Sequence, residues 1–156
     1  MHADIDIEFK FVGGTEQVVK KLGFVAPINI TFIPWLPQHL IGDIYYDSDL
    51  LLYPSFESQG LVVAEALSTG LPTLTIKNTG PHFVARGHGL EIDFTENLIE
   101  LAKNIKSMIV NYKITCCYDD DVEYLRRRRW RAMKFNKENS WDSTINSFLE
   151  HIERVK

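Results

Sequence analysis

Residues 55–73, "SFESQGLVVAEALSTGLPT", decide how the rest of the chain is read. They describe a loop that opens into a short helix at Gly60 and leaves it through Gly70 and Pro72, the punctuation of a helix between two strands. Leu61, Val62, Val63, Ala64, Ala66 and Leu67 make that helix apolar almost all the way round, as expected of a helix buried in a domain. One carboxylate, Glu65, stands among them. A buried carboxylate without donors is costly, so this position needs hydrogen-bonding partners.

The flanks set the architecture. On either side of the helix lie "DLLLYPS" and "LPTLTI", short continuous apolar runs bounded by turn residues, the pattern of strands buried on both faces of a parallel sheet. Further upstream, "IEFKFVGG" alternates and stops at Gly13-Gly14, and "INITFIP" alternates and stops at Pro34. Between these runs, "EQVVKKLG", "PQHLIGDIYYDS" and "SQGLVVAEALSTG" each suit two or three helical turns. The order is βαβαβαβ, which predicts an α/β fold: a Rossmann-like three-layer α/β/α sandwich on a parallel sheet. After Gly80, "GHGLEID" reads as a last strand. "TENLIELAKNIKSMIVN" follows as a helix with Leu98, Ile99, Leu101, Ala102, Ile105, Met108 and Ile109 on its apolar stripe and Thr95 as N-cap. Beyond Asp119 the pattern suits two more helices divided near Asn139-Ser140. No repeat or linker divides the chain, so residues 1–156 are expected to form one domain.

Composition narrows the class. The 156 residues are 45% hydrophobic and 24% charged, ordinary for a globular protein. A net charge of −4 excludes a strongly basic domain, and no nucleic-acid partner is expected. Cys116 and Cys117 are adjacent, a spacing that suits neither an ordinary disulfide nor a zinc knuckle and fits a reducing compartment. The start "MHADIDIEFKFVGG" carries acids where a signal peptide would be basic, and no apolar run approaches the roughly 20 residues of a spanning helix. A soluble, cytoplasmic protein is the expectation.

In open parallel sheets, ligands bind beyond the carboxyl ends of the strands, where helix N-termini offer free N–H groups and the positive end of a dipole. Pro54 to Leu61 should lie at such an end. Gly60 has no side chain, so an anion or sugar can approach the amides of Gln59, Gly60 and Leu61 closely. Glu65 would find two hydroxyl donors in a ribose diol. The plainer alternative is that Glu65 is partly exposed or caps a neighbouring loop.

At these residues the chain resembles the group 1 retaining glycosyltransferases. "PSFESQGLVVAEALSTGLPTL" matches their E-x7-E signature, with Glu57 and Glu65 at the required spacing and Pro54, Ser55, Gly60, Leu61, Ala66, Gly70 and Pro72 in place. The likeness extends to "FVGG", to "ITFIPWLPQHLIGDIYYDSDLLLYPS" and to the terminal "SWDSTINSFLEHI". It implies the C-terminal, donor-binding half of a GT-B fold, with the N-terminal acceptor domain absent from this chain. Carried over by position, Glu57 would be catalytic, contacting the transferred sugar, and Glu65 would hold the ribose of the donor nucleotide. The backbone of Ser58, Gln59, Gly60 and Leu61 would line the sugar and diphosphate. The donor is a nucleotide-diphosphate sugar, with no other cofactor and no metal. The chain departs from the family pattern at Gln59, where an aromatic is usual, and at Thr79-Gly80-Pro81-His82, where a Gly-Gly and a Glu are common. The basic pair that neutralises the diphosphate would precede "IEFKFVGG". The implied function is hexosyl transfer in polysaccharide, lipopolysaccharide or glycolipid assembly, with the isolated chain expected to be inactive. The alternatives are a non-catalytic nucleotide- or partner-binding module, or a fragment of a GT-B sugar-nucleotide epimerase.

Further candidates are weaker. Gly13-Gly14 lacks the G-x-G-x-x-G spacing and reads first as a strand-to-helix turn, although such a turn would face the cleft. Gly80, His82 and His88 sit near expected strand ends, where a histidine could reach a phosphate, while a surface role is the simpler reading. Trp35 and Leu36 could flank a nucleobase or pack in the core. "YLRRRRWRAMK" places Arg126, Arg127, Arg128 and Arg129 over about 300° of helix at ~100° per residue. The default is a solvated face. Peripheral contact with anionic lipid at the inner face of the membrane is the second reading.

Overall fold

The structure is a computed structural model that describes residues 7–21, 23, 25, 28–116, 121–140, 142, 143, 145 and 146. Cys117 and most of the terminal "SWDSTINSFLEHI" segment fall outside them. The chain divides into two compact units, Met1–Asp43 and Ile44–Lys156.

The first unit is built on two parallel strands. β1 (Phe9–Val12) pairs with β2 (Ile30–Ile33) in the register Phe9 to Ile30 through Val12 to Ile33, and α1 (Glu16–Lys21) lies between them in sequence. Phe11 meets Phe32 edge to face across the pair, with centroids 5.8 Å apart. The turn after β1 needs Gly13 for its backbone. Gly13 sits at φ +81, which a side chain would strain, and a Cβ on Gly14 would overlap the Phe11 ring. Gly13 N–H continues the ladder to the Ile33 carbonyl at 3.0 Å.

The second unit is a three-layer sandwich. After α2 (Gln38–Tyr46), which crosses the boundary between the units, come β3 (Leu51–Tyr53), α3 (Leu61–Ser68), β4 (Thr73–Ile76), α4 (Gly80–Ala85), β5 (Leu90–Ile92), α5 (Leu98–Cys116) and α6 (Asp121–Glu138). The three strands form a parallel sheet in the order β3-β4-β5. Successive side chains of a strand point to opposite faces, so each strand serves two layers. Leu52, Leu74, Ile76, Leu90 and Ile92 pack with Leu101, Ile105 and Met108 of α5. Leu51 and Tyr53 pack on the other side with Val63 and Leu67 of α3, Ala85 of α4 and Phe135 of α6. All four residues of β4 are buried, as a continuous apolar run in a central strand predicts.

Four details differ from the sequence pattern. α4 was not anticipated; its start is marked by Thr79, whose hydroxyl accepts from His82 N–H at 3.3 Å, and by Pro81 in the first turn. The α5 stripe is narrower than its apolar pattern, because Leu98 and Ile99 are exposed while Leu101, Ile105 and Met108 face the sheet. Its N-cap is Asn97, whose Oδ1 accepts from Ile99 and Glu100 N–H at 3.1 and 3.2 Å. Thr95 instead accepts from Asn97 N–H. The strands form two sheets, one in each unit.

Candidate functional site

β3 ends at Tyr53, and the chain runs through an irregular loop to the start of α3 at Leu61. Glu57, Ser58 and Gln59 are exposed on this loop. The loop is held by backbone: Gly80 N–H donates to the Glu57 carbonyl at 3.0 Å. A Cβ on Gly80 would lie 2.6 Å from that oxygen, and one on Gly60 would lie 2.7 Å from Pro81 Cα. The two glycines thus let the loop and the starts of α3 and α4 stack main chain on main chain. Gly60 occupies the N-cap of α3 and brings no side-chain cap. The first intrahelical bond runs from Ala64 N–H to the Gly60 carbonyl at 2.9 Å, so the amides ahead of it in the first turn have no intrahelical acceptor.

Glu65 is half-buried one turn into α3, and it is not alone. The Tyr45 hydroxyl donates to its Oε2 at 3.1 Å. Burial, then the charge of Glu65 and the hydrogen bond to it, push the Tyr45 hydroxyl far above its ordinary range. Tyr53 shows the same pattern in weaker form, raised by burial and then by its hydrogen bond to Glu57. The Tyr53 hydroxyl is also close enough to Tyr45 to act on it electrostatically. Of the two glutamates of the seven-residue spacing, Glu65 is therefore held by a tyrosine, and Glu57 acts on the Tyr53 hydroxyl. Tyr53 carries no motif signal, whereas Tyr45 falls at the Tyr of the run "LIGDIYYDSDLLLYPS" that resembles the family. The motif marks Tyr45 but does not say that it donates to Glu65, 20 residues away.

His82 is occupied by structure. Asn78, at φ 62, donates its N–H to His82 Nδ1 at 2.9 Å, which leaves Nε2 to carry the proton toward Glu91 Oε2, also 2.9 Å away. The ring pins the β4–α4 turn to β5. His88 is likewise engaged, with Nε2 2.8 Å from Glu138. In the first unit, Gly13 and Gly14 form the strand-to-helix turn described above. Trp35 is 77% exposed, which removes the core reading for that residue.

The arginine run does not present all four of its cations to a surface, and for Arg128 the structure corrects the membrane-contact reading. Arg128 is 4% exposed and donates to four backbone carbonyls: Thr69 at 3.2 Å, Tyr46 at 2.7 Å, Ser48 at 3.2 Å, and Tyr45. It caps the C-terminal ends of α2 and α3, where unpaired carbonyls and the negative end of the dipole favour a cation. Buried in this way, it is withdrawn from any lipid surface. Arg126 and Arg127 pair with Glu123, and Arg129 is exposed. Arg131 and Asn136, further along the same helix, donate to Gly70 and Ser68 carbonyls.

Among the described residues no cluster of three or more His, Cys, Asp or Glu could hold a metal ion, and no helix is long and apolar enough to cross a membrane. No curated protein matches the chain. The family model described as "Glycosyl transferases group 1" matches residues 1–111, a span that runs from before β1 into α5 and contains both glutamates and their tyrosines. Sugar donor and acceptor are thereby its partners in general terms, and the chain, matched over more than half its length, belongs to the group 1 glycosyltransferase family.

Proposed function

We propose that the chain is the donor-binding, C-terminal half of a retaining GT-B glycosyltransferase, taking a nucleotide-diphosphate sugar and serving hexosyl transfer to a saccharide or glycolipid. The observation that carries this reading is the placement of Glu57 and Glu65 on the loop and helix that follow β3, with the Tyr45 hydroxyl bonded to Glu65. Glu65 would accept the two ribose hydroxyls. A carboxylate accepts several donors at once, so the Tyr45 bond that orients the group is compatible with ribose donors as well. Glu57, exposed on its loop, would contact the transferred sugar. The amides at Gly60 and Leu61 would meet the departing diphosphate, where preorganised N–H donors stabilise developing negative charge. Gln59 in place of an aromatic gives the sugar a polar wall.

Calorimetric titration with UDP and GDP tests the reading. Glu65→Ala should weaken binding by about 1.5–3 kcal/mol for each charge-assisted bond lost. Tyr45→Phe should weaken it less, because the carboxylate remains while its orienting donor is gone. Equal affinity in wild type and Glu65→Ala would assign Glu65 to structure alone and favour a module that binds a partner chain.

A further inference from the structure

The loop that carries Glu57 rests on the turn between β4 and α4. Gly80 N–H donates to the Glu57 carbonyl at 3.0 Å, and a Cβ on Gly80 would overlap the Ser58 carbonyl, so loop and turn touch main chain to main chain. Two residues before Gly80 the turn passes through Asn78 in the left-handed region, at φ 62. That residue gives its N–H to His82 Nδ1 at 2.9 Å. A ring nitrogen that accepts is unprotonated, so the proton of the neutral ring sits on Nε2, 2.9 Å from Glu91 Oε2 of β5. Lys77 Nζ lies 3.9 Å from the same Glu91 carboxylate and 3.0 Å from Asp93. Thr79 ties the turn only to its own neighbours, donating to the Ile76 carbonyl at 2.7 Å and accepting from His82 N–H. The His82 side chain, 13% exposed, ties it to a different strand.

We propose that His82 is a positioning residue for the hexose of the donor. Through the Asn78 N–H it shapes the turn, through the Gly80 N–H the turn fixes the Glu57 backbone, and the Glu57 carboxylate meets the transferred sugar. The inference rests on the donor-site reading above. A sugar that binds against a loop already in place avoids the ordering cost of a free one. The role requires an acceptor at the position of Nδ1 and no contact between the ring and ligand. Glu65 is held from α2 by Tyr45, so the sugar end of the donor should depend on His82 more than the nucleotide end does.

His82→Asn and His82→Leu test this as a pair, since the two side chains branch alike and only Asn sets an acceptor oxygen where Nδ1 stands. Each full-chain variant is titrated by calorimetry with UDP-glucose, UDP-galactose and GDP-mannose, and with UDP and GDP. The readout is the ratio of sugar-nucleotide to bare-nucleotide affinity. In wild type at least one hexose should raise that ratio above unity. His82→Leu should lower it by about fivefold, the scale of one neutral hydrogen bond, and His82→Asn should keep most of it. A second readout needs no ligand: amide exchange at Gly80, followed by NMR, should be faster in His82→Leu than in wild type or His82→Asn. Equal Gly80 protection in all three, no hexose gain in wild type, or the same ratio in the Asn and Leu variants would overturn the inference, and a UDP affinity that still depends on Glu65 would then leave the donor-site reading standing. Nucleotides that fail to bind wild type, with Gly80 exchange still dependent on His82, would overturn the donor-site reading and the role of His82 in it.

Discussion

Arg128→Met offers the sharpest test of how the unit from Ile44 onward is held together. The guanidinium donates to four carbonyls at the ends of two helices and also lies 5.0 Å from the Tyr46 ring centroid. Hydrogen bonds with one charged partner are worth about 1.5–3 kcal/mol each, so the gross loss is about 6–12 kcal/mol. Removing the buried charge returns much of that, because an ion in the interior carries a desolvation penalty of several kcal/mol. The carbonyls left behind, however, have no substitute donor in methionine. The expected net loss is about 3–5 kcal/mol, the range seen when one side of a buried charged pair is deleted. Urea denaturation followed by circular dichroism measures it. Arg128→Lys should recover only part, since an ammonium has three donors and lacks the planar fork that spans both helix ends. The effect should reach the site too. Arg128 grips the carbonyls of Tyr45 and Tyr46, and the Tyr45 hydroxyl orients Glu65, so nucleotide affinity should fall at a residue remote from ligand. A variant within about 1 kcal/mol of wild type, less than a single charged bond, would refute the claim that Arg128 organises these helix ends.

Two further outcomes follow from the same packing. Gly80→Ala places a methyl against the Glu57 carbonyl and should cost about 1–3 kcal/mol by overpacking while displacing the loop. Denaturation and nucleotide titration of the same variant should therefore change together, and unchanged nucleotide binding would separate loop position from function. Tyr45 and Tyr53 hold their phenolic protons more tightly folded than unfolded, so their contribution to stability is complete below the ordinary tyrosine value of 10.0 and is lost as pH rises beyond it. Stability measured from about pH 9 to about pH 11 should fall more steeply in wild type than in Tyr45→Phe, and parallel slopes would contradict the buried Tyr45–Glu65 bond.

The alternation and length of the apolar runs determined the parallel α/β order, because a strand buried on both faces and a helix packed over it leave periodic signatures in local sequence. Gly60, Gly70 and Pro72 likewise announced the limits of α3, since backbone needs are written in single residues. α4 was legible in principle from Thr79 and Pro81, but its six residues are too few to show a helical period. What surrounds the two glutamates was not legible. Tyr45 lies 20 residues from Glu65, and Arg128 lies 83 from the Tyr45 carbonyl it caps, so neither pairing has a local pattern. Sequence spread four adjacent arginines over about 300° of helix, which forbids a single stripe but does not say which of them turns inward. Only tertiary packing, by turning one face of α6 onto the ends of α2 and α3, made Arg128 a buried cap and left Arg129 in water, because burial depends on which elements meet and not on the residue type alone.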